Sequence, residues 1–340
     1  MLSSCNSLYL TTSDMLYGTR SSPSKSVFIA WRRLSRRTIL LSRYLGIDTI
    51  FIHDSPPYLR AFLSTLNIVR RGRYNSILAQ LPQGPLLASL ALLKKLYKFK
   101  LFVDVHTGFL IYDNFKGYIL NRPFYTMLSY CNNIILHNHT IYEEVVPPRL
   151  RERCIVVYDP WFLLEDFKKY CPSVCEEHEY VVFPASFAPD EPIDEVLSVL
   201  SRMKKIKVYV TGNANKHRDI VMKYKSSNII FTGYIPDEEY YRLLCCAKAI
   251  VAGTKREYTA LMSAWEALAF NKPLALSYTK TLYRIFAGYA YFYNLRNSKS
   301  VEDAIINAIS SSQPAKEIYT KLKNETIQQL NQLKKYLHTT

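Results

Sequence analysis

Short apolar runs alternate with amphipathic stretches along the first half of the chain. The runs are SVFIAW (26 to 31), DTIFIHD (48 to 54), SILAQL (76 to 81), KLFVDV (100 to 105), NIILHN (133 to 138) and CIVVYD (154 to 159). The stretches with helical spacing between them are 32 to 45, 57 to 70, 85 to 98, 121 to 131 and 140 to 146. Nearly continuous apolar strands separated by helices are typical of a parallel sheet covered on both faces.

The same alternation repeats in the second half, with strand-like runs YVVFPA, KVYVTG, NIIFTG, KAIVAG, PLALS and YAYFYN. We therefore predict an α/β protein with two Rossmann-like domains that face each other across a cleft. The predicted parts are an N-terminal domain (1–160), a linker (161–179), a C-terminal domain (180–314) and a final helix (315–340) that crosses back to the first domain. Residues 1 to 25 are candidates for disorder. A chain of 340 residues with 49% hydrophobic content is long enough for two cores.

The cysteines and the hydropathy pattern bear on location. The seven cysteines include the near pair Cys171 and Cys175, with His178 close by, but no CxxC spacing. We expect free thiols in a reducing cytosol rather than a metal site. No signal peptide is legible, and no run approaches the roughly 20 apolar residues that span a bilayer. These features predict a cytoplasmic protein, with peripheral contact at the inner face of the cell membrane as the alternative to free solution.

The net charge of +16 lies mostly in the first half, where residues 1 to 160 hold 20 Lys and Arg against 9 Asp and Glu. Such a basic surface could bind an anionic lipid, or it could be an ordinary charged surface in contact with water. No nucleic-acid-binding motif accompanies it. The segments WRRLSRRTILLSRYLG and PLLASLALLKKLYKFK resemble interfacial helices but equally suit sheet-covering helices. The arginines Arg32, Arg33, Arg36 and Arg37 are therefore predicted to bind either a membrane surface or an acceptor's phosphate.

The segment TKREYTALMSAWEALAFNKPLALS (254 to 277) carries the most specific chemistry. We interpret it as a loop that opens a helix, followed by a buried strand. Glu266 on that helix would face the mouth of a parallel sheet, where a carboxylate can accept hydrogen bonds from a sugar diol. Lys255 and Arg256 beside the helix N-terminus would suit a diphosphate. A solvated glutamate on an ordinary helix is the alternative.

The segment EALAFNKPLALS resembles part of the C-terminal domain of family-4-like GT-B glycosyltransferases. Further pieces follow in the order expected for that family and cover most of residues 31 to 310: WRRLSRRTILLSRYLG, ILAQLPQGPLLASLALL, LFVDVHTGFL, NIILHNHTIYEEV, ASFAPDEPIDEVLSVL, TGNANK, NIIFTGYIPDEEYYRLL and TLYRIFAGYAYFYN. The resemblance implies transfer of a sugar from a nucleotide-sugar donor to a lipid-linked or surface-glycan acceptor, with retention of anomeric configuration. It implies no cofactor beyond the co-substrate, and the lack of Asp-x-Asp suggests that no metal is needed.

The resemblance also assigns roles to residues. Catalytic roles fall to His106, near the transferred sugar or acceptor, and to Glu257. Glu266 would hold the nucleotide ribose, and the remaining donor-binding candidates follow strand ends or supply cations: Thr211, Gly212, Asn213, Lys216, Gly233, Thr254, Lys255 and Arg256. A histidine such as His106 can equally be a core residue bonded to the backbone.

The chain departs from the family pattern at two places. The position of the first family glutamate falls on Tyr258, with Glu257 one place early. The Arg and Lys usually found after the first strand of the C-terminal domain are absent, and Asp190 and Glu191 lie there instead. Two alternatives therefore stay open. One is a nucleotide-sugar 2-epimerase of the same fold, which would need carboxylates such as Asp104 and Asp113. The other is a catalytically silent, membrane-associated partner protein.

Overall fold

The computed structural model describes residues 25–112, 115–175, 179–226, 228–311 and 316–338. The segment proposed for disorder (residues 1 to 24), together with Asp113 and His178, lies outside these ranges. Two six-stranded parallel sheets form the framework, with strand orders β2-β1-β3-β4-β5-β6 and β12-β11-β10-β7-β8-β9.

The first sheet is built from β1 (Ser26–Trp31), β2 (Asp48–Ile52), β3 (Ser76–Gln80), β4 (Lys100–Val105), β5 (Asn133–Leu136) and β6 (Cys154–Val156). The helices in this part of the chain are α1 (Arg36–Leu45), α2 (Leu59–Gly72), α3 (Gly84–Tyr97), α4 (Thr107–Leu110), α5 (Phe115–Tyr125), α6 (His139–Glu144) and α7 (Pro148–Arg151). A 3-10 helix, Thr126–Tyr130, follows α5. The central strands β1, β3 and β4 are buried along nearly their whole length, which explains why their sequences are nearly continuous apolar runs.

The second sheet is built from β7 (Tyr180–Pro184), β8 (Lys207–Thr211), β9 (Ile229–Gly233), β10 (Ala249–Ala252), β11 (Leu274–Ser277) and β12 (Ala290–Tyr293). Its helices are α8 (Ile193–Leu200), α9 (Arg218–Tyr224), α10 (Asp237–Cys246), α11 (Met262–Ala269), α12 (Lys280–Phe286), α13 (Ser298–Ser310) and α14 (Lys316–His338). Two 3-10 helices, Trp161–Tyr170 and Ala214–Lys216, complete this part. The predicted fold class, α/β with two Rossmann-like domains, is confirmed.

The chain divides into two compact units whose boundaries are not single cuts. The first unit holds residues up to His137, then Val145–Val157 and the chain from Gln329 onward; the second holds Asn138–Glu144 and Tyr158–Gln328. The last part of α14 therefore returns to the first unit, where Tyr44 donates a hydrogen bond to Asn331 and Ser76 donates one to the carbonyl of Leu337. The short helix α6, which the sequence places in the first domain, belongs to the second.

Residues 161 to 179 are not a plain linker, because their first ten residues form a 3-10 helix that packs into the second unit. Trp161 is fully buried and stacks on Trp265 of α11, with ring centroids 6.3 Å apart. Phe167 stacks on Tyr241 of α10, with ring centroids 4.5 Å apart. These buried aromatic contacts make the segment part of the second unit rather than a linker.

Two disulfides join the end of this segment to the last turn of α10, Cys171 to Cys245 and Cys175 to Cys246. The prediction of free thiols is therefore wrong for these four cysteines, and the cysteine argument for a reducing compartment goes with it. Cys131 and Cys154 are free thiols. Adjacent cysteines on a helix point about 100° apart, so Cys245 and Cys246 reach two partners that lie four residues apart.

No helix among the described residues is long and apolar enough to cross a membrane. Within the same residues, no group of three or more His, Cys, Asp and Glu side chains is arranged to hold a metal ion.

Candidate functional site

In the second unit, the predicted donor residues gather at the carboxyl edge of the sheet. Because all six strands are parallel, the turns after β7, β8, β9, β10 and β11 meet at that edge, where open α/β sheets bind ligands. The predicted helix is shorter than expected, since α11 begins at Met262 and residues 254 to 261 form a loop. Lys255 and Arg256 consequently lie in this loop and not beside the helix N-terminus.

Glu266 is the fifth residue of α11 and its side chain is buried, with 5% of the residue exposed. The hydroxyl of Tyr240, near the start of α10, donates a hydrogen bond of 2.5 Å to its Oε2 atom. This contact orients the carboxylate, and a carboxylate has four lone-pair positions, so it can also accept from a ligand diol. The sequence analysis missed Tyr240, although NIIFTGYIPDEEYYRLL contains it, because no spacing rule relates α10 to α11.

Thr254 is buried and fixed by the protein itself. Its amide donates to the hydroxyl of Ser277 at 2.8 Å, and its own hydroxyl lies 2.9 Å from Oδ2 of Asp190. The amide of Arg256 donates to the same Thr254 hydroxyl at 3.1 Å. These bonds connect the turns after β7, β10 and β11, so Thr254 organises the edge of the sheet.

The two acidic residues that replace the family's cations are also structural partners. Glu191 accepts hydrogen bonds from the amides of Ser186 and Phe187 and from the hydroxyl of Ser186. Burial raises the pKa of Glu191, and these hydrogen bonds oppose the rise without cancelling it. Asp190 accepts from the amide of Lys255 through its carbonyl and from Thr254 through its side chain. Both residues therefore shape the loop after β7.

The cations predicted for the diphosphate differ in their surroundings. Lys255 forms an ion pair with Glu195 at 2.8 Å, while Lys216 is exposed in the short 3-10 helix after β8. Arg256 is half-buried, and this burial lowers the pKa of its guanidinium. An arginine remains charged at neutral pH despite such a shift, so Arg256 is still a cation that could face a diphosphate.

Glu257 does not lie on α11 but caps the start of α12. Its Oε2 accepts from the amide of Lys280 at 2.9 Å, and its Oε1 accepts from the amides of Thr281 and Tyr258 at 2.8 and 3.0 Å. Burial alone would raise the pKa of Glu257, but these hydrogen bonds outweigh it and the pKa lies below its usual range. The residue is thus an ionised helix cap, which favours a positioning role over direct chemistry.

The predicted glycines and Asn213 line the same edge. Gly212 has φ of +102°, and a Cβ there would come within 1.7 Å of the carbonyl oxygen of Ala185, so only glycine fits. Its amide donates to the carbonyl of Gly233, and Asn213 caps the 3-10 helix that carries Lys216. Thr211 is buried at the end of β8, with its carbonyl accepting from the amide of Ala185.

In the first unit, a buried charge cluster lies at the carboxyl end of β4. Nε of Arg37 donates to both carboxylate oxygens of Asp104, at 2.9 and 3.1 Å, and Nε2 of His106 lies 3.3 Å from Oδ2. Burial would raise the pKa of Asp104, but Arg37 and His106 more than compensate and lower it to about 2. The carboxylate is therefore ionised, and it fixes the orientation of His106, whose side chain is 28% exposed.

The four arginines predicted to act together do not share one helix. Arg37 is 6% exposed and is paired with Asp104, so its assignment to a membrane surface is wrong. Trp31, which directly precedes these arginines, is fully buried and its indole N–H donates to the hydroxyl of Thr65. Arg32 and Arg33 are exposed in the loop between β1 and α1, and Arg36 begins α1.

A residue that the sequence analysis missed, Gln80, shapes this loop. Its Oε1 accepts from the amide of Ser35 at 2.9 Å and from the hydroxyl of Thr38 at 2.8 Å, while its Nε2 donates to the carbonyl of Arg33. Because Gln80 ends β3, it fixes the β1–α1 loop at the carboxyl edge of the sheet.

Comparison with known proteins gives the fold. No protein-family model matches the chain, and no curated protein sequence matches it either. Among solved structures, HepE of Anabaena in complex with UDP-glucose superimposes with a TM-score of 0.67 at 10% identity, over 92% of this chain and 98% of that one.

Two further structures extend the likeness. A glycosyltransferase from Rickettsia africae has a TM-score of 0.64 at 13% identity, over 93% of this chain and 99% of that one. A protein from Listeria monocytogenes described as a UDP-N-acetylglucosamine 2-epimerase has a TM-score of 0.62 at 8% identity, over 93% and 98%. Together with the two parallel sheets and the returning C-terminal helix, these likenesses show that the chain has the GT-B fold.

Proposed function

We propose that the protein is a glycosyltransferase that moves a sugar from a nucleotide-sugar donor to a glycan or lipid-linked acceptor. The observation that carries this proposal is the buried carboxylate of Glu266, which Tyr240 orients on the helix that follows β10. HepE, which shares the fold, was solved with UDP-glucose, UDP, and UDP with glucose. These complexes support a nucleotide sugar as the donor.

In the proposed donor complex, Glu266 accepts hydrogen bonds from the ribose hydroxyls, and Tyr240 holds its carboxylate in place. Lys216 and Arg256 face the diphosphate, with Lys255 joining them when its pair with Glu195 opens. In the reaction, the bond between the anomeric carbon and the diphosphate oxygen breaks, the acceptor oxygen bonds to that carbon, and the acceptor's proton passes to the departing diphosphate. Cations aimed at the leaving diphosphate stabilise the charge that develops on it.

The remaining predicted residues take supporting roles. His106, oriented by Asp104, contacts the transferred sugar or the acceptor. Glu257 positions the 254–261 loop and α12 through its hydrogen bonds. Thr211, Gly212, Asn213, Gly233 and Thr254 form the turns that let the backbone approach the donor. Metal independence and retention of configuration stay predictions, because they rest on the absence of Asp-x-Asp and on family resemblance.

The test is a panel of nucleotide sugars, with binding measured by calorimetry and turnover by release of free nucleotide diphosphate. We expect one donor class to bind and to be consumed only when an acceptor or water receives the sugar. Glu239→Gln, which changes an exposed carboxylate one residue before Tyr240, is the matched control for Glu266→Gln. Binding of no nucleotide sugar, or equal loss of binding in both variants, would contradict the proposal.

The likeness to the Listeria protein described as an epimerase makes a 2-epimerase the second candidate. The same panel separates the two activities. An epimerase converts UDP-N-acetylglucosamine to its 2-epimer, detectable by NMR, without needing an acceptor. A silent partner protein would bind a donor without consuming it.

A further inference from the structure

Three helices of the first unit form a layer with an unusually apolar outer surface. The helix α3 packs against both α2 and α5, and the three carry no Asp or Glu. Their large exposed apolar side chains are Leu59, Phe62 and Leu63 on α2, Leu92, Leu96 and Tyr97 on α3, and Phe115, Tyr118 and Ile119 on α5. We call these nine residues the outer apolar set.

The set follows helical spacing, so each helix presents its members as a strip. On α3, Leu86, Leu87, Leu90 and Leu93 are buried, whereas Leu92 and Leu96 are 60% and 73% exposed and lie one turn apart. On α5, Phe115 is 76% exposed and stacks on Tyr118 with centroids 6.3 Å apart, and Ile119 lies one turn after Phe115. Scattered apolar residues are normal on protein surfaces, but repeated strips on adjacent helices mark an interaction surface.

The charges on the same helices have one sign. Seven Lys and Arg lie on them: Arg60, Arg70, Arg71, Lys94, Lys95, Lys116 and Arg122. From Ser55 to Val103 the sequence has no acidic residue at all. Arg70, Arg71 and Lys95 are exposed, and the ammonium of Lys95 lies over the ring of Tyr130, 5.4 Å from its centroid. The layer therefore joins apolar strips to an excess of positive charge.

We propose that this layer is a membrane-binding surface that docks on an anionic bilayer, with the outer apolar set entering the headgroup region. An anionic bilayer supplies both negative charge for the lysines and arginines and an apolar phase for the leucines and aromatics. A second copy of the layer would bring like charges together. A nucleic acid would satisfy the charges but would leave the leucine strips in water.

This inference goes beyond the proposed function, because it concerns helices that carry none of the proposed donor-binding residues and needs no bound nucleotide sugar. It also differs from the arginine cluster predicted from the sequence, of which Arg37 is buried. The sequence segment PLLASLALLKKLYKFK allowed both an interfacial and a sheet-covering helix. In the structure α3 covers the sheet with one side and exposes leucines on the other.

The first experiment is vesicle flotation of the full chain without nucleotide sugar, using neutral phosphatidylcholine vesicles and vesicles with one-third phosphatidylglycerol. We expect binding to the anionic vesicles only, weakening as salt screens the charges. Leu92→Gln/Leu96→Gln and Arg70→Gln/Arg71→Gln/Lys95→Gln should each lower the partition coefficient by at least about tenfold, since each cation and each buried apolar side chain adds to the affinity. The control is Met222→Gln/Lys225→Gln on the exposed surface of the second unit, which should leave binding unchanged.

The second experiment measures insertion directly. Trp31, Trp161 and Trp265 are fully buried, so an introduced tryptophan dominates quenching by brominated lipid. Leu96→Trp should be quenched by anionic vesicles that contain brominated chains, whereas Met222→Trp should not. Equal quenching at both positions, or binding lost only in the charge variant, would overturn the proposal in favour of simple adsorption. The proposal would also be overturned, in favour of self-association, by a third result. In that result the chain does not bind vesicles, and it forms dimers that dissociate in Leu92→Gln/Leu96→Gln.

Discussion

The two disulfides of the second unit lead to a quantitative prediction about stability. We consider three variants: Cys171→Ala/Cys245→Ala, Cys175→Ala/Cys246→Ala, and the quadruple alanine variant. Each bridge closes a long loop, with partners 74 and 71 residues apart, but the two loops are nearly the same. Once either bridge has formed, the other closes a ring of only the few residues between the paired ends. The two stabilising effects should therefore be far from additive.

The magnitudes follow from the loss of chain entropy in the unfolded state. A loop of about 74 residues corresponds to roughly 4.5 kcal/mol at 25 °C, and a ring of about five residues to roughly 2 kcal/mol. Removing either bridge alone should therefore cost about 2 kcal/mol, because the remaining bridge still closes the long loop. Removing both should cost about 6.5 kcal/mol, well above twice the single effect.

The measurement is urea unfolding at equilibrium, followed by fluorescence of Trp161 and Trp265 in the second unit. Reduction should raise the number of thiols counted in denaturant by four, because the two bridges hold four cysteines. The variant Cys154→Ala, which removes a thiol outside the bridges, controls for the substitution itself. Single effects near 4 kcal/mol that add in the quadruple variant would refute the nested-loop reasoning, since they would require two independent loops. Seven thiols before reduction would refute the bridges themselves.

Three further predictions concern the two carboxyl edges. Glu266→Gln should keep the fold and weaken nucleotide-sugar binding by roughly 1–3 kcal/mol. Tyr240→Phe should weaken binding by less, because it leaves the carboxylate charge in place. Donor affinity in calorimetry equal to that of the unmodified chain would contradict this. Turnover should survive EDTA, and activity abolished by EDTA and restored by manganese would remove the prediction of metal independence. The pKa of Asp104 is lowered to about 2, so its ion pair with Arg37 stabilises the first unit fully above the unfolded-state pKa near 3.9, and this stabilisation is lost as the pH falls from about 4 towards 2. Asp104→Asn should therefore make the melting temperature less dependent on pH between 4 and 2. An unchanged pH dependence would contradict this.

The sheets were predictable because their strands are buried on both faces. Strands such as β4 read as unbroken apolar runs, and their predicted bounds match the structure to within a few residues. The helix α2 shows a clear apolar stripe, whereas α3 has leucines on both sides and was located by its length and by the strands on either side of it. The segment around Trp161 was misread because a short 3-10 helix has no strong period, and its burial depends on Trp265 a hundred residues later.

The candidate sites were only partly predictable for the same reason. A glutamate followed by a helix end could be located from local pattern, as Glu266 was. Tyr240 and Gln80 could not, because their partners come from other elements and no spacing links them. Arg37 illustrates the limit most clearly. Its neighbours in sequence are exposed arginines, yet the partner that decides its burial, Asp104, lies 67 residues away.

The division of the chain into its two units also limits how the protein can be made. The chain passes between the units after His137, Glu144, Val157 and Gln328, so neither unit is one uninterrupted stretch. On the ribosome, the second unit has all its residues available before the first, which waits for the end of α14 and its buried leucines Leu333 and Leu337. During synthesis the first unit must therefore persist with all six strands made but without the end of α14, and the surface that those leucines cover stays exposed. A chaperone that shields this surface until translation ends would raise the yield of native protein, and a fragment ending at residue 160 would be a poor substitute for the intact unit.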